Sequence, residues 1–126
     1  MSGHDILDQA AGTTTFVHDY LHISWDGSET QNDKATPSVT DVAGTLTAGL
    51  GTVSLDHSIL GAAFEDRLTL IGPATAIFRD DTAADNGLSV DNGTYKVVFI
   101  AFPLEAYGTA AQKADLMTRV LNYFGP

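Results

Sequence analysis

The stretch that decides the fold is Tyr95-Lys96-Val97-Val98-Phe99-Ile100-Ala101-Phe102. It is a nearly continuous apolar run rich in β-branched and aromatic residues. Such a run suits a central strand buried on both faces, as in parallel sheets. Pro103 ends it. Thr109 and Gln112 then form the Thr-x-x-Gln of a capping box. Leu116, Met117, Val120, Leu121 and Phe124 lie on one helical stripe, and Gly125-Pro126 stops the helix. Strand 95–102, loop 103–108 and helix 109–124 therefore read as a βα unit.

Upstream the pattern weakens. Phe16, Val17, Tyr20 and Leu21 share one helical face, so residues 13–23 read as a short helix, with a Thr of the 13–15 run as its cap. Residues 26–41 are polar and read as a loop. Residues 42–55 favour strand but are interrupted by Gly44, Gly49 and Gly51. Residues 68–71 and 75–78 are short strand candidates separated by Gly72-Pro73. Asn86-Gly87 and Asn92-Gly93 are turn signals within 80–94.

The chain has 126 residues, enough for one domain with a real core. It has no cysteine, which excludes disulfides, thiolate metal sites and a cysteine nucleophile. Sixteen acids, thirteen of them Asp, stand against six bases, for a net charge of -10. That balance argues against phosphate-mediated nucleic-acid binding and against anionic membrane surfaces. No apolar run approaches the ~20 residues of a membrane span. The first five residues show no basic or apolar leader pattern. Residues 1–33 sum to -6 and residues 80–95 to -4, while residues 96–126 sum to +1. Three readings of the acidity stand side by side: solvated loops, adaptation to high salt, and a cation site such as Ca²⁺.

Two stretches together resemble a known family. Ser2-Gly3-His4-Asp5-Ile6, followed by the Phe16–Leu21 segment, and Tyr95–Phe102-Pro103-Leu104-Glu105-Ala106, followed by the closing helix, are similar to the C-terminal part of class I glutamine-amidotransferase-like domains of large secreted bacterial proteins. The resemblance implies an α/β, flavodoxin-like three-layer sandwich. Its central sheet would be truncated and mostly parallel, with a Gly/Asp-rich β insertion. The family's Ser-Gly-x-Asp lies deep within its domain, whereas here it begins at residue 2. Residues 1–126 thus read as a single domain equivalent to the C-terminal half of such a domain. The open sheet edge of a half-domain is expected to be covered by a second copy. The resemblance also implies an extracellular or periplasmic setting for a parent protein. Amidotransferase activity does not carry over without a cysteine.

Candidate sites follow from both readings. If the parallel sheet holds, Asp5 and Glu105 face one crevice beyond the strand ends with His4 beside them, a carboxylate pair for acid–base work. Capping and loop roles are the structural alternative. His18 and His22 have the i, i+4 spacing that can hold one metal ion, although their face is the wet one. Asp80 and Asp81, with Asp85, Asn86 and Asp91, are a second cation candidate lacking the terminal Glu of an EF-hand. Asp56-His57-Ser58 lists triad residue types, but neighbours cannot form a triad among themselves, and a turn is expected. Trp25 and Tyr107 are aromatic rings of the kind that stack on a sugar, with core packing as the default. Two functions are expected from these features. One is a non-catalytic, self-associating interaction domain with an unassigned small-molecule or carbohydrate ligand. The other is a small hydrolase acting on an ester or glycosidic bond through the carboxylates and a histidine.

Overall fold

A computed structural model describes residues 15–24, 36–59 and 65–125. The chain forms a π-helical turn (Phe16–Tyr20), then β1 (Ile23–Ser24), β2 (Ser38–Asp41) and β3 (Thr52–Ser54). A 3₁₀ turn at His57–Ile59 leads towards β4 (Thr69–Leu70), β5 (Thr75–Asp80), β6 (Asp85–Asp91) and β7 (Lys96–Ile100). A second 3₁₀ turn (Leu104–Ala106) precedes helix α1 (Ala110–Phe124).

The main sheet has the order β3-β2-β5-β6-β7, and every pairing in it is antiparallel. β1 and β4 form a separate antiparallel ribbon. This corrects the expectation of a truncated, mostly parallel, flavodoxin-like α/β sheet. The reason is visible in β7. Val98 and Ile100 enter one core with Val39, Ile77, Phe102, Tyr107 and Leu116 of α1. Phe99 and Ala101 enter a second core with Val17, Leu21, Ile23, Leu68 and Leu88. Both faces of β7 are indeed covered, one by α1 and the other by the π turn and the β1–β4 ribbon. A strand sandwiched in this way reads as a continuous apolar run whatever the direction of its neighbours. Its place also differs from the expected centre of the sheet, because among the described residues β7 pairs only with β6 and is an edge strand.

Other boundaries shift for local reasons. Residues 13–23 were expected to be a helix. The described part is one π turn closed by Leu21 N–H donating to Phe16 O at 3.1 Å, followed by β1. β2 lies within the expected loop 26–41, and the strand expected over 42–55 shrinks to β3. The intervening residues turn on Gly44 and Gly49, both at positive φ. Thr47 Oγ1 pins that loop by donating to Ile77 O at 2.5 Å. Asn86-Gly87 is no turn. Both residues are buried inside β6, and Asn86 Nδ2 donates to Asp66 O at 2.9 Å. Asn92-Gly93 does turn the chain between β6 and β7, with Gly93 at φ +82°.

The expected capping box is present in both halves. Gln112 N–H donates to Thr109 Oγ1 at 3.3 Å, and Thr109 N–H donates to Gln112 Oε1 at 2.8 Å. Arg119 ties α1 to the β2–β3 loop by donating from Nη1 to Ala48 O at 2.7 Å.

Candidate functional site

His4, Asp5 and Trp25 lie outside the described residues. Glu105 sits exposed on the turn after β7, and its backbone oxygen accepts from Lys113 Nζ at 2.7 Å. The crevice that was to join Glu105 to Asp5 belongs to a parallel sheet, which the antiparallel order removes.

His18 and His22 do not converge. The π turn replaces i, i+4 bonds by i, i+5 bonds, so the spacing that aligns two histidines on an α-helix no longer does so. His18 is exposed, with Nδ1 2.7 Å from Asp19 Oδ1. His22 is half-buried at φ +55°. Its Nε2 is 2.8 Å from the Tyr95 hydroxyl, and the two rings are parallel within 2°. The Tyr95 hydroxyl in turn donates to Asp19 O at 3.0 Å.

The Asp80 carboxylate is buried and organises the β5–β6 hairpin. Its Oδ1 accepts from Thr82 N–H at 2.7 Å, from Thr82 Oγ1 at 2.6 Å and from Ala84 N–H at 3.0 Å. Its Oδ2 lies 3.4 Å from Arg67 Nε. Asp81 is exposed, and Asp85 pairs with Arg79 at 3.2 Å. Among the described residues no three His, Asp or Glu side chains come together as a metal-binding group.

Asp56-His57-Ser58 forms a turn, as expected. Asp56 Oδ1 accepts from Ser58 N–H at 3.0 Å, and the bonds from Ser58 hold this carboxyl below its usual range. No local spacing points to His57's partner. Its Nδ1 lies 3.3 Å from the buried Glu65 carboxylate, and its Nε2 lies 2.8 Å from Thr36 O. With Nε2 in hydrogen-bond range of Thr36 O and Nδ1 facing the Glu65 carboxylate, this imidazole serves as a staple between segments. Tyr107 is fully buried against Phe78 and Phe102, so it offers no ring to a ligand.

Two surface features went unread in the sequence. The first is an apolar groove of about 230 Å³ between β7 and α1, lined by Val98, Ile100, Leu104, Met117, Val120 and Phe124. Its signal was the width of the helical stripe, which exceeds what one sheet face can cover. Leu116 is buried, whereas Met117, Leu121 and Phe124 are 40%, 65% and 47% exposed. The second is an open cleft of about 590 Å³, part polar and part apolar, where the second half of α1 faces the ends of β5 and β6 and Leu46 and Pro73 form the apolar part. Thr75, Ser89, Asp91, Arg119, Asn122 and Tyr123 line it. The alternation of Ser89 and Asp91 along β6 was the available clue.

No known protein family, curated protein or solved structure matches the chain.

Proposed function

We propose that the chain is an interaction module that self-associates through β7 and α1. The observation carrying this reading is the coincidence of a free strand edge with an uncovered apolar helix stripe. Among the described residues β7 has a strand neighbour on one side alone, and an edge strand invites a further strand. Beside it, Met117, Leu121 and Phe124 continue the groove as one apolar surface. An apolar surface of this kind, rimmed by polar groups, marks an association site.

Charge favours a second copy as the occupant. Each chain carries -10, and a like-charged partner is repelled over most of the surface. Residues 96–126, which supply β7 and α1, sum to +1. Two copies that meet on this third of the chain bring together the least repulsive parts of their surfaces. The expected arrangement is a twofold dimer, with β7 antiparallel to its counterpart and the two α1 stripes packed across the axis.

Sedimentation velocity tests the reading. A dimer is expected at micromolar concentration, and Leu121→Asp is expected to weaken it by more than about tenfold. Leu121 is largely exposed, so this variant keeps the monomer fold, as circular dichroism checks. A wild-type chain that sediments as a monomer at high micromolar concentration refutes self-association.

A further inference from the structure

The cleft of mixed polar and apolar lining shares no residue with the apolar groove, and its chemistry points to a ligand class. We infer that it binds a neutral oligosaccharide. Its volume of about 590 Å³ lies within the range of small-molecule sites, roughly 300–1,000 Å³. A second open hollow of about 320 Å³ adjoins it across Asp91, lined by Thr94, Tyr95, Lys96 and Phe124. Two open hollows sharing a wall suit an extended chain better than a compact metabolite.

The lining carries hydrogen-bonding groups of both senses. The Asn122 amide donates and accepts, and so does the hydroxyl of Thr75, while buried Ser89 bonds Tyr123 at the cleft floor. Sugar hydroxyls demand this mixture. The charged groups of the cleft are already matched. Asp91 faces Lys96 Nζ at 3.4 Å, and Arg119 Nε donates to Asp115 at 3.0 Å. A free ion therefore meets little uncompensated charge, and the overall -10 disfavours anions. Tyr123 and Tyr95 stand at the two hollows, but Lys96 lies over the Tyr123 ring and Tyr95 packs on His22 and Tyr20, so recognition rests on the hydrogen-bonding groups.

The wall between the hollows is held before any ligand arrives. Lys96 Nζ donates to Tyr123 O at 2.9 Å and lies 5.0 Å from the centre of the Tyr123 ring. Asp91 Oδ1 accepts from Gly93 N–H at 3.1 Å. That backbone bond, aided by Lys96, holds the Asp91 carboxyl below its usual range, so it stays an acceptor in mild acid. Fixed lining groups lose little freedom on binding, which is how a shallow cleft gains affinity.

Calorimetric titration with cello-, malto-, xylo- and chito-hexaose, beside an oligogalacturonate, tests the inference. At least one neutral hexaose is expected to bind, and more tightly than the anionic one. Asn122→Ala and Thr75→Val, both at exposed positions, are each expected to weaken that binding by about tenfold, the loss of one or two hydrogen bonds. Near-ultraviolet circular dichroism confirms that these variants fold. Because Phe124 lines both the second hollow and the association surface, the titrations are repeated on Leu121→Asp, a position that lines neither hollow, and this variant is expected to bind the hexaose as a monomer. Absence of binding to all four neutral hexaoses overturns it. So does a preference for the anionic chain, or undiminished binding by both cleft variants.

Discussion

His57 Nδ1 stands 3.3 Å from Glu65 Oε1, joining the turn after β3 to the chain that leads into β4. The same carboxylate accepts from Thr36 N–H through Oε2 at 2.9 Å, and Thr36 O faces His57 Nε2. Three segments distant in sequence thus meet around one buried acid. Removing a partner from a buried carboxylate leaves its charge poorly compensated. His57→Ala is expected to lower unfolding free energy by about 2–4 kcal/mol in urea titration. Asp56→Asn, one residue away and exposed, is expected to change it by less than about 0.5 kcal/mol. Equal effects would show that the staple contributes nothing special.

The capping box gives a second measure of local design. Thr109→Ala removes the acceptor for Gln112 N–H at the start of α1. A loss of about 1 kcal/mol is expected. Thr109→Ser is expected to recover most of it, because the hydroxyl is what matters. A helix whose stability ignores both changes would be held entirely by its packing against the sheet.

These two relationships also show what was legible in the sequence. The capping box involves residues three apart, and local spacing reveals it completely. The His57–Glu65–Thr36 staple spans 29 positions, and no periodicity joins them. The apolar run at 95–102 correctly signalled cover on both sides of β7, but it carries no information on strand direction. Asn86-Gly87 misled because its turn chemistry was overridden by burial. Gly87 packs within van der Waals reach of Ile77 and Phe78, where a larger residue would crowd the sheet. The π turn was unreadable because its apolar spacing fits an α-helix equally well. Among the described candidates, His18 meets Asp19, His22 meets Tyr95 and Asp80 binds its own hairpin, partners that residue spacing does not reveal.

Backbone conformation supplies a pair of predictions with opposite signs. Ala83 closes the β5–β6 hairpin at φ +66°, a region unfavourable to a side chain by roughly 1–2 kcal/mol. Ala83→Gly relieves this but adds freedom to the unfolded chain, for a net gain of about 0.5–1 kcal/mol. Gly108 lies at φ +47°, and a Cβ there would come within 2.7 Å of Val53 Cγ1. Gly108→Ala is expected to cost more than about 2 kcal/mol. Thermal unfolding of both variants checks the signs. A destabilised Ala83→Gly protein would place the dominant effect in the unfolded state.

The acidic surface makes stability depend on salt. Raising sodium chloride from 0.1 to 1 M shortens the screening length from about 10 to about 3 Å. Repulsion within a chain of net charge -10 then falls, while the buried pairing of Asp80 with Arg67 is screened little. The melting temperature is expected to rise with chloride, an anion chosen because sulfate also strengthens apolar burial. Asp81→Asn, which removes one exposed charge beside the hairpin, is expected to reduce that rise. A flat or falling curve would mean that exposed ion pairs outweigh the net repulsion.

Alkaline pH isolates Tyr107. Its side chain is fully buried, and burial, with Asp115 adding to it, pushes the phenol from 10.0 up to about 12. The folded state therefore holds this proton more tightly than the unfolded chain does. Its contribution is complete below pH 10 and is lost as pH climbs from there through about 12. A shift of that size corresponds to a loss of up to about 3 kcal/mol across the window. Lysine deprotonation begins in the same range and weakens the Lys96–Asp91 pair, so the wild-type curve alone mixes causes. Tyr107→Phe separates them. The hydroxyl has no hydrogen-bond partner among the described residues, so its removal is expected to stabilise the fold at neutral pH by about 1 kcal/mol or more. The variant should also fall less steeply above pH 10, and the gap between the two urea midpoints should widen towards pH 12. A gap that stays constant with pH would mean that the Tyr107 phenol titrates alike in the folded and unfolded chains.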